Sequence, residues 1–316
     1  MEIYETQSEI AKRKSWLLSL VVIVLVAIGM LVILQVLALA ATPYLFGVSI
    51  EDIMGLMTGD FSSPNGRMAM FFVQGIGSGI GFWLAAYVIA HFIDKADFHW
   101  EIQLPRFNLT GAGLVLIITV GGMLFNALLV YWNSLLVLPD SLSGLELWMK
   151  ETEEQLLELT KFLTDFQSIP ELITGIVVIG VLAGIGEEMF FRGVVQPKMR
   201  LYTGSAHAGV WVTAIIFSAI HLQFYGFLPR VFLGALFGYL YLYSGSLIYP
   251  ILAHILNNSI TVILVYLSNQ EKIDIDLEST DSVSYPAAIL GLLGLLAGIY
   301  YFKKINRPNG ELDKSI

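Results

Sequence analysis

Glu187 and Glu188 stand side by side in AGIGEEMFFRG (residues 183–193), a stretch that is otherwise apolar, and Arg192 follows one turn later. An ionised carboxylate near the centre of a bilayer costs about 2.5–3.5 kcal/mol on insertion scales, so two in succession call for a chemical reason. On a helix Glu188 and Arg192 share a face in the favoured acid-before-base order and can pair. Glu187 projects about 100° away and is left for something else. Two further breaks in the apolar pattern follow. FSAIH (217–221) carries His221, and HILNN (254–258) puts His254 and Asn258 four apart on one face, with Asn257 beside them. A Glu with a His can activate water by general-base catalysis, and a second His with an Asn at i+4 offers donors to a developing oxyanion. Alternatively, Glu187, His221 and His254 are plausible Zn²⁺ ligands that would lower the pKa of a bound water. Both schemes are hydrolytic and suit amide cleavage.

Each residue alone has a plainer role. A buried His is often a hydrogen-bonded packing residue, Asn258 can join two helices, and Glu188 with Arg192 can be a pair at the membrane interface. The combination carries more weight than its members, because intramembrane ionisable groups usually face a bundle interior and mark a path or a site. The other signatures of intramembrane proteolysis, H-E-x-x-H, Gly-x-Gly-Asp and Gly-x-Ser-Gly, are missing from the chain.

The elements that must position these residues are membrane helices. The 316 residues are 56% hydrophobic and 14% charged, against about 45–50% and about 25% in soluble domains. Eight stretches approach the roughly 20 apolar residues of a span: 16–41, 69–92, 111–132, 172–196, 207–223, 229–244, 248–268 and 286–302. The fold class expected is all-α, a polytopic bundle of about eight transmembrane helices. The first apolar run exceeds the h-region of a signal peptide and is read as an uncleaved helix. With the N-terminus inside and all eight stretches crossing, 12 Lys and Arg fall inside and 5 outside, which places both termini in the cytoplasm. The location expected is the cell (inner) membrane. Loops 133–171 and 269–285 are acidic, with Glu151, Glu153, Glu154 and Glu158 on a surface helix. A net charge of −9 argues against nucleic acid, and the lack of cysteine removes thiolate chemistry. GIGSGIG (75–81) reads as close helix packing, not a phosphate loop. Three segments are expected: scaffold helices over 1–171, a catalytic core over 172–268, and a last helix with a basic tail over 269–316.

At the polar motifs the chain resembles the CAAX-protease and bacteriocin-processing (CPBP, or Abi) family, which includes the type II CAAX prenyl endopeptidases. EEMFFR matches its E-E-x-x-x-R, FSAIH its F-x-x-x-H and HILNN its third motif. The resemblance implies Glu187 as the base on water with His221 assisting, His254 and Asn258 as oxyanion donors, and Glu188 with Arg192 orienting the site. It leaves a Zn²⁺-dependent and a metal-free mechanism open. The metal-free one is favoured slightly, since Asn258 is a poor zinc ligand and a good oxyanion donor. The partners implied are membrane lipid and a peptide or protein substrate, lipidated or membrane-bound. The competing reading is a non-hydrolytic protein, a proton-coupled transporter or a regulatory scaffold.

Strict alternation sets one difficulty. His221 lies about 20 Å into the fifth helix, whereas Glu187 belongs toward the cytoplasmic end of the fourth. They meet only if helix four or five is shifted, tilted or extended, and residues 196–209 are polar enough for an extension. A water-accessible cavity opening to the cytoplasm is expected.

Overall fold

A computed structural model describes residues 8–273 and 283–306. Arg307, Lys314 and most of the acidic loop 269–285 therefore lie outside the described residues. No strand occurs among those described. In chain order the main helices are α1 (Arg13–Phe46), the short α2 (Ile50–Met57), α3 (Gly66–Ile93), α4 (Leu109–Ser134), the acidic α5 (Ser143–Thr164), α6 (Ile169–Thr203), α7 (Ala206–Ala219), α8 (Phe227–Ser244), α9 (Ile248–Asn269) and α10 (Tyr285–Ile305).

Among the described residues, seven of these helices are long and apolar enough to cross a membrane; α7, at 14 residues, is apolar but shorter. At 1.5 Å per residue α7 reaches about 21 Å, less than the roughly 30 Å of a hydrocarbon core. The expected bundle of about eight spans is thus seven full helices and one partial one. Leu25, Val36 and Leu37 of α1 are more than half exposed, which is stable only against lipid. The protein is an all-α polytopic membrane protein.

Caps set the helix ends. Asn108 Oδ1 accepts from Gly111 N at 2.8 Å ahead of α4, and Ser205 Oγ accepts from Ala208 N at 3.3 Å ahead of α7. Gly204, at φ +73°, closes α6 and turns the chain into α7.

The glycine-rich run of α3 packs on two sides. A Cβ on Gly81 would stand 2.9 Å from Leu31 of α1, and one on Gly79 would stand 2.8 Å from Leu182 of α6. Gly186 backs directly onto the Gly79 carbonyl, so α3 and α6 cross backbone against backbone, as small residues allow.

The bundle has two chemically distinct ends. At one, Ser8 N donates to the Asp94 carbonyl, Lys198 Nζ binds Asp94 and Ser19 at 2.8 Å each, Arg106 reaches the Gly245 carbonyl and Lys303 lies over Tyr243. At the other, α5 is docked. Arg67 donates to the Phe162 carbonyl and pairs with Glu171 at 2.7 Å, and Trp148 lies against Phe224. Glu151, Glu153, Glu154 and Glu158 all lie on α5, the surface helix expected, here 22 residues long.

Candidate active site

The two glutamates sit on an α-helical stretch of α6, Ala183–Phe190, flanked by π-helical turns at Ile176–Leu182 and Phe191–Val195. Such turns inside α-helices are frequent at functional sites. Gly184 faces Ile255, where a Cβ would meet the side chain at 2.8 Å, so α6 and α9 approach closely at the level of the glutamates.

Glu188 is fully buried and its Oε1 accepts two hydrogen bonds, from Arg192 at 2.7 Å and from His254 Nδ1 at 2.8 Å. The pairing with Arg192 is the one its spacing predicts; the bond to His254 is additional. Arg192 is also fully buried. It donates to the Gly234 carbonyl of α8 at 2.8 Å, and its guanidinium lies 4.9 Å from the Phe217 ring and 5.5 Å from the Phe237 ring. The two terminal nitrogens are engaged and the cation lies between two aromatic faces, which offsets much of its burial, while Nε has no partner. Phe237 in turn stacks on His254, with ring centroids 5.1 Å apart.

Glu187 points elsewhere, as the 100° step requires. Its Oε2 stands 3.9 Å from His254 Nε2, too far for a direct hydrogen bond. Glu187 and Asn258 line a cavity of about 410 Å³. Asn258 donates to the Ile179 carbonyl at 2.8 Å and its Oδ1 accepts from Asn257 at 3.1 Å. That carbonyl lies in the first π-turn of α6, so Asn258 also ties α9 to α6. His221 follows the end of α7. Its Nδ1 donates to the Phe217 carbonyl at 2.7 Å, and its ring meets the Phe217 ring edge-on at 5.1 Å. Phe217 also meets His254 edge-on at 6.1 Å, so the two histidines flank one phenylalanine.

The levels match because α6 is extended. It continues through residues 196–203, and the chain reverses at Gly204. Glu187 then lies about 24 Å before the reversal and His221 about 22 Å after it.

The cavity extends from Glu187 toward α2 and α5. Its other lining residues belong to α2, to α5 and to the halves of α1, α3 and α6 nearest them, among them Leu39, Met54, Met57 and Leu159. Sequence periodicity does not show this, because α2 and α5 carry no chemical motif. Gln35, Gln74 and Ser78 also line it. They are polar residues inside apolar spans, a signal present in the sequence but masked by the glycines around two of them.

Among the described residues no group of three or more His, Cys, Asp or Glu side chains has the spacing of a metal site. Each histidine has its Nδ1 engaged, His254 by Glu188 and His221 by the Phe217 carbonyl, which leaves both Nε2 atoms free.

Comparison with known proteins agrees with the motif reading. Residues 169–260 match the family model described as Type II CAAX prenyl endopeptidase Rce1-like. The chain is similar to the uncharacterized protein YpbD of Bacillus subtilis (strain 168), 30% identical over 98 residues, which is 30% of this chain and 45% of that protein. It is also similar to an uncharacterized 24.3 kDa protein of Escherichia coli, 33% identical over 100 residues, which is 30% of this chain and 46% of that one. The chain thus spans less than half the length of these curated relatives. No solved structure matches it.

Proposed function

We propose that the Rce1-like core makes this chain a membrane-embedded endopeptidase, in which Glu187 activates the water that hydrolyses a peptide bond. The observation that carries this reading is the division of labour between adjacent carboxylates. Glu188 pairs through Oε1 with Arg192 and His254 away from the cavity, whereas Glu187 faces a cavity with His254 Nε2 3.9 Å away.

A single water can bridge groups at that separation. Glu187 takes a proton from it while its oxygen attacks the carbonyl carbon of the substrate. His221 assists by its position beside Phe217. The carbonyl oxygen, now an oxyanion, accepts from the amide N–H of Asn258 and, with a proton on Nε2, from His254. Glu187 then delivers its proton to the departing amide nitrogen, and the C–N bond breaks. Glu188 and Arg192 do not touch the reacting atoms; they hold the His254 ring through Nδ1. The substrate class is a protein or peptide in or at the membrane, and the protein is placed in the cell membrane with both termini cytoplasmic.

Purified protein assayed against a peptide library tests this. Glu187→Gln keeps size and hydrogen bonding but removes the base, so cleavage should fall by about 10²–10⁴ with the fold unchanged. Equal cleavage by Glu187→Gln and wild type would remove Glu187 as the base, and no cleavage by the wild type would leave the transporter or scaffold.

A further inference from the structure

One turn beyond Arg192, Gln196 repeats its contact with the neighbouring helix. Arg192 donates to the Gly234 carbonyl at 2.8 Å, and Gln196 Nε2 donates to the Gly238 carbonyl at 3.0 Å. The donors are four apart on α6, and the acceptors are four apart on α8, in GALFG (234–238). Two bonds in matched register fix both the height and the rotation of α8 against α6, which a single bond does not. Gly238 permits the second bond, since a Cβ there would stand 2.8 Å from Gln196 Oε1. Phe237 lies between the two acceptors, and its ring stacks on His254 with centroids 5.1 Å apart and planes 25° apart.

Stability alone does not account for a glutamine at this place. Gln196 is 5% exposed, and its Oε1 is buried with no hydrogen-bond partner among the described residues. A buried acceptor left unsatisfied is destabilising, and a methionine would fill much the same space without one. What methionine does not supply is the donor to Gly238. The amide thus gives up stability at its oxygen and fixes α8 with its nitrogen, and an unsatisfied buried group of this kind points to a role in function.

We infer that Gln196 is a positioning residue for His254: through Gly238 it holds the part of α8 that carries Phe237, and Phe237 sets the plane of the imidazole whose Nε2 turns toward Glu187. The inference rests on the endopeptidase reading for what the imidazole does, but the run of contacts from Gln196 to the ring does not depend on that reading. Glu188 holds His254 at Nδ1, and a ring held at one nitrogen can still tilt about that bond. Phe237 across its face opposes the tilt. Gln196 does not line the cavity beside Glu187, so its loss should change turnover rather than substrate binding.

Gln196→Met tests this in the purified full chain, alone and combined with Phe237→Leu. Each protein is measured for thermal midpoint, for kcat and KM on one cleaved peptide, and for the His254 signal in the NMR spectrum of protein carrying isotope-labelled histidine, identified by its loss in His254→Ala. Gln196→Met should keep the midpoint and KM of the wild type while kcat falls by about 10–10²-fold, the scale of a misplaced catalytic group. In the Phe237→Leu background the same substitution should lower kcat by less than about twofold further, because residues acting along one path are not additive. The His254 signal should move in the same direction in both single variants, since each takes the ring current of Phe237 away from the imidazole. An unchanged kcat or an additive loss in the double variant overturns the inference. So does a His254 signal that Phe237→Leu moves and Gln196→Met does not, which would make Gln196 a packing residue only, whatever its midpoint. If the wild type cleaves nothing, the endopeptidase reading fails, and the His254 signal alone decides the positioning.

Discussion

His254 lies between two neighbouring carboxylates: Nδ1 is 2.8 Å from Glu188 Oε1, while Nε2 turns toward Glu187, 3.9 Å away. One imidazole thus connects two neighbouring glutamates that point in different directions from the same helix. Glu188, Arg192, Phe217 and Phe237 form a rigid frame around that ring, and the frame is anchored to α8 through the Gly234 carbonyl. The geometry separates a buried carboxylate paired through Oε1 from a cavity-facing one, and this separation yields distinct consequences for substitutions at adjacent positions.

Glu188→Gln should behave unlike Glu187→Gln. It leaves Arg192 buried with no carboxylate, and removing one member of a buried pair costs about 3–5 kcal/mol. The expected outcome is a lowered thermal midpoint in detergent and a poor yield of folded protein, with activity lost as a consequence. A Glu188→Gln protein as stable as wild type would contradict the structural role given to Glu188.

Arg192→Lys should not rescue Arg192→Ala. The guanidinium uses one nitrogen on Glu188 and another on the Gly234 carbonyl, and its planar face lies between two phenylalanines. A lysine supplies the charge but neither the fork nor the plane. Both variants should lose stability, Arg192→Ala more, because it leaves Glu188 with only the His254 bond. Thermal unfolding of the two variants side by side measures this; full stability of Arg192→Lys would show that charge alone suffices.

Much of the site was legible before any coordinates. The pairing of Glu188 with Arg192 follows from four-residue spacing, and the divergence of Glu187 follows from the turn of the helix. The grouping of His221, His254 and Asn258 near them is implied by three polar motifs recurring in successive apolar segments. The bond from His254 to Glu188 was not legible, because periodicity within one helix says nothing of rotation between α6 and α9. The half-length of α7 was hidden for a different reason. Residues 220–223 remain moderately apolar, so composition extends the helix past the turn that ends it. The direction of the cavity depends on α2 and α5, whose sequences look like ordinary amphipathic surface helices, and only packing reveals that they stand above Glu187.

Gly186→Ala should be strongly destabilising despite its chemical modesty. The added methyl would collide with the Gly79 carbonyl at the crossing of α3 and α6, where backbone rather than a flexible side chain must move. Overpacking of this kind typically costs about 1–3 kcal/mol and often more when no neighbour can yield. Gly29→Ala in α1, where a Cβ would meet nothing within 4 Å, is the control and should leave the thermal midpoint unchanged. Equal midpoints for the two variants would show that the crossing is looser than the geometry states.

Metal dependence gives the most discriminating outcome. No group of three or more His, Cys, Asp or Glu side chains among the described residues has the spacing of a metal site, and Asn258, which shares the cavity with Glu187, is a poor zinc ligand that retains an amide N–H for an oxyanion. Exhaustive chelation of the purified protein should therefore leave cleavage intact, and bound zinc should be well below one per chain. His254→Ala should slow turnover by about 10²–10³, the range seen when one oxyanion donor is lost, and added Zn²⁺ should not restore it. Under a zinc mechanism the same experiments run the other way: chelation abolishes cleavage and Zn²⁺ restores it, because the bound water owes its low pKa to the ion. The two sets of outcomes do not overlap. Metal content measured alongside activity, before and after chelation, assigns the water to Glu187 alone or to Glu187 with an ion, and stoichiometric zinc with activity tracking it would overturn the metal-free mechanism.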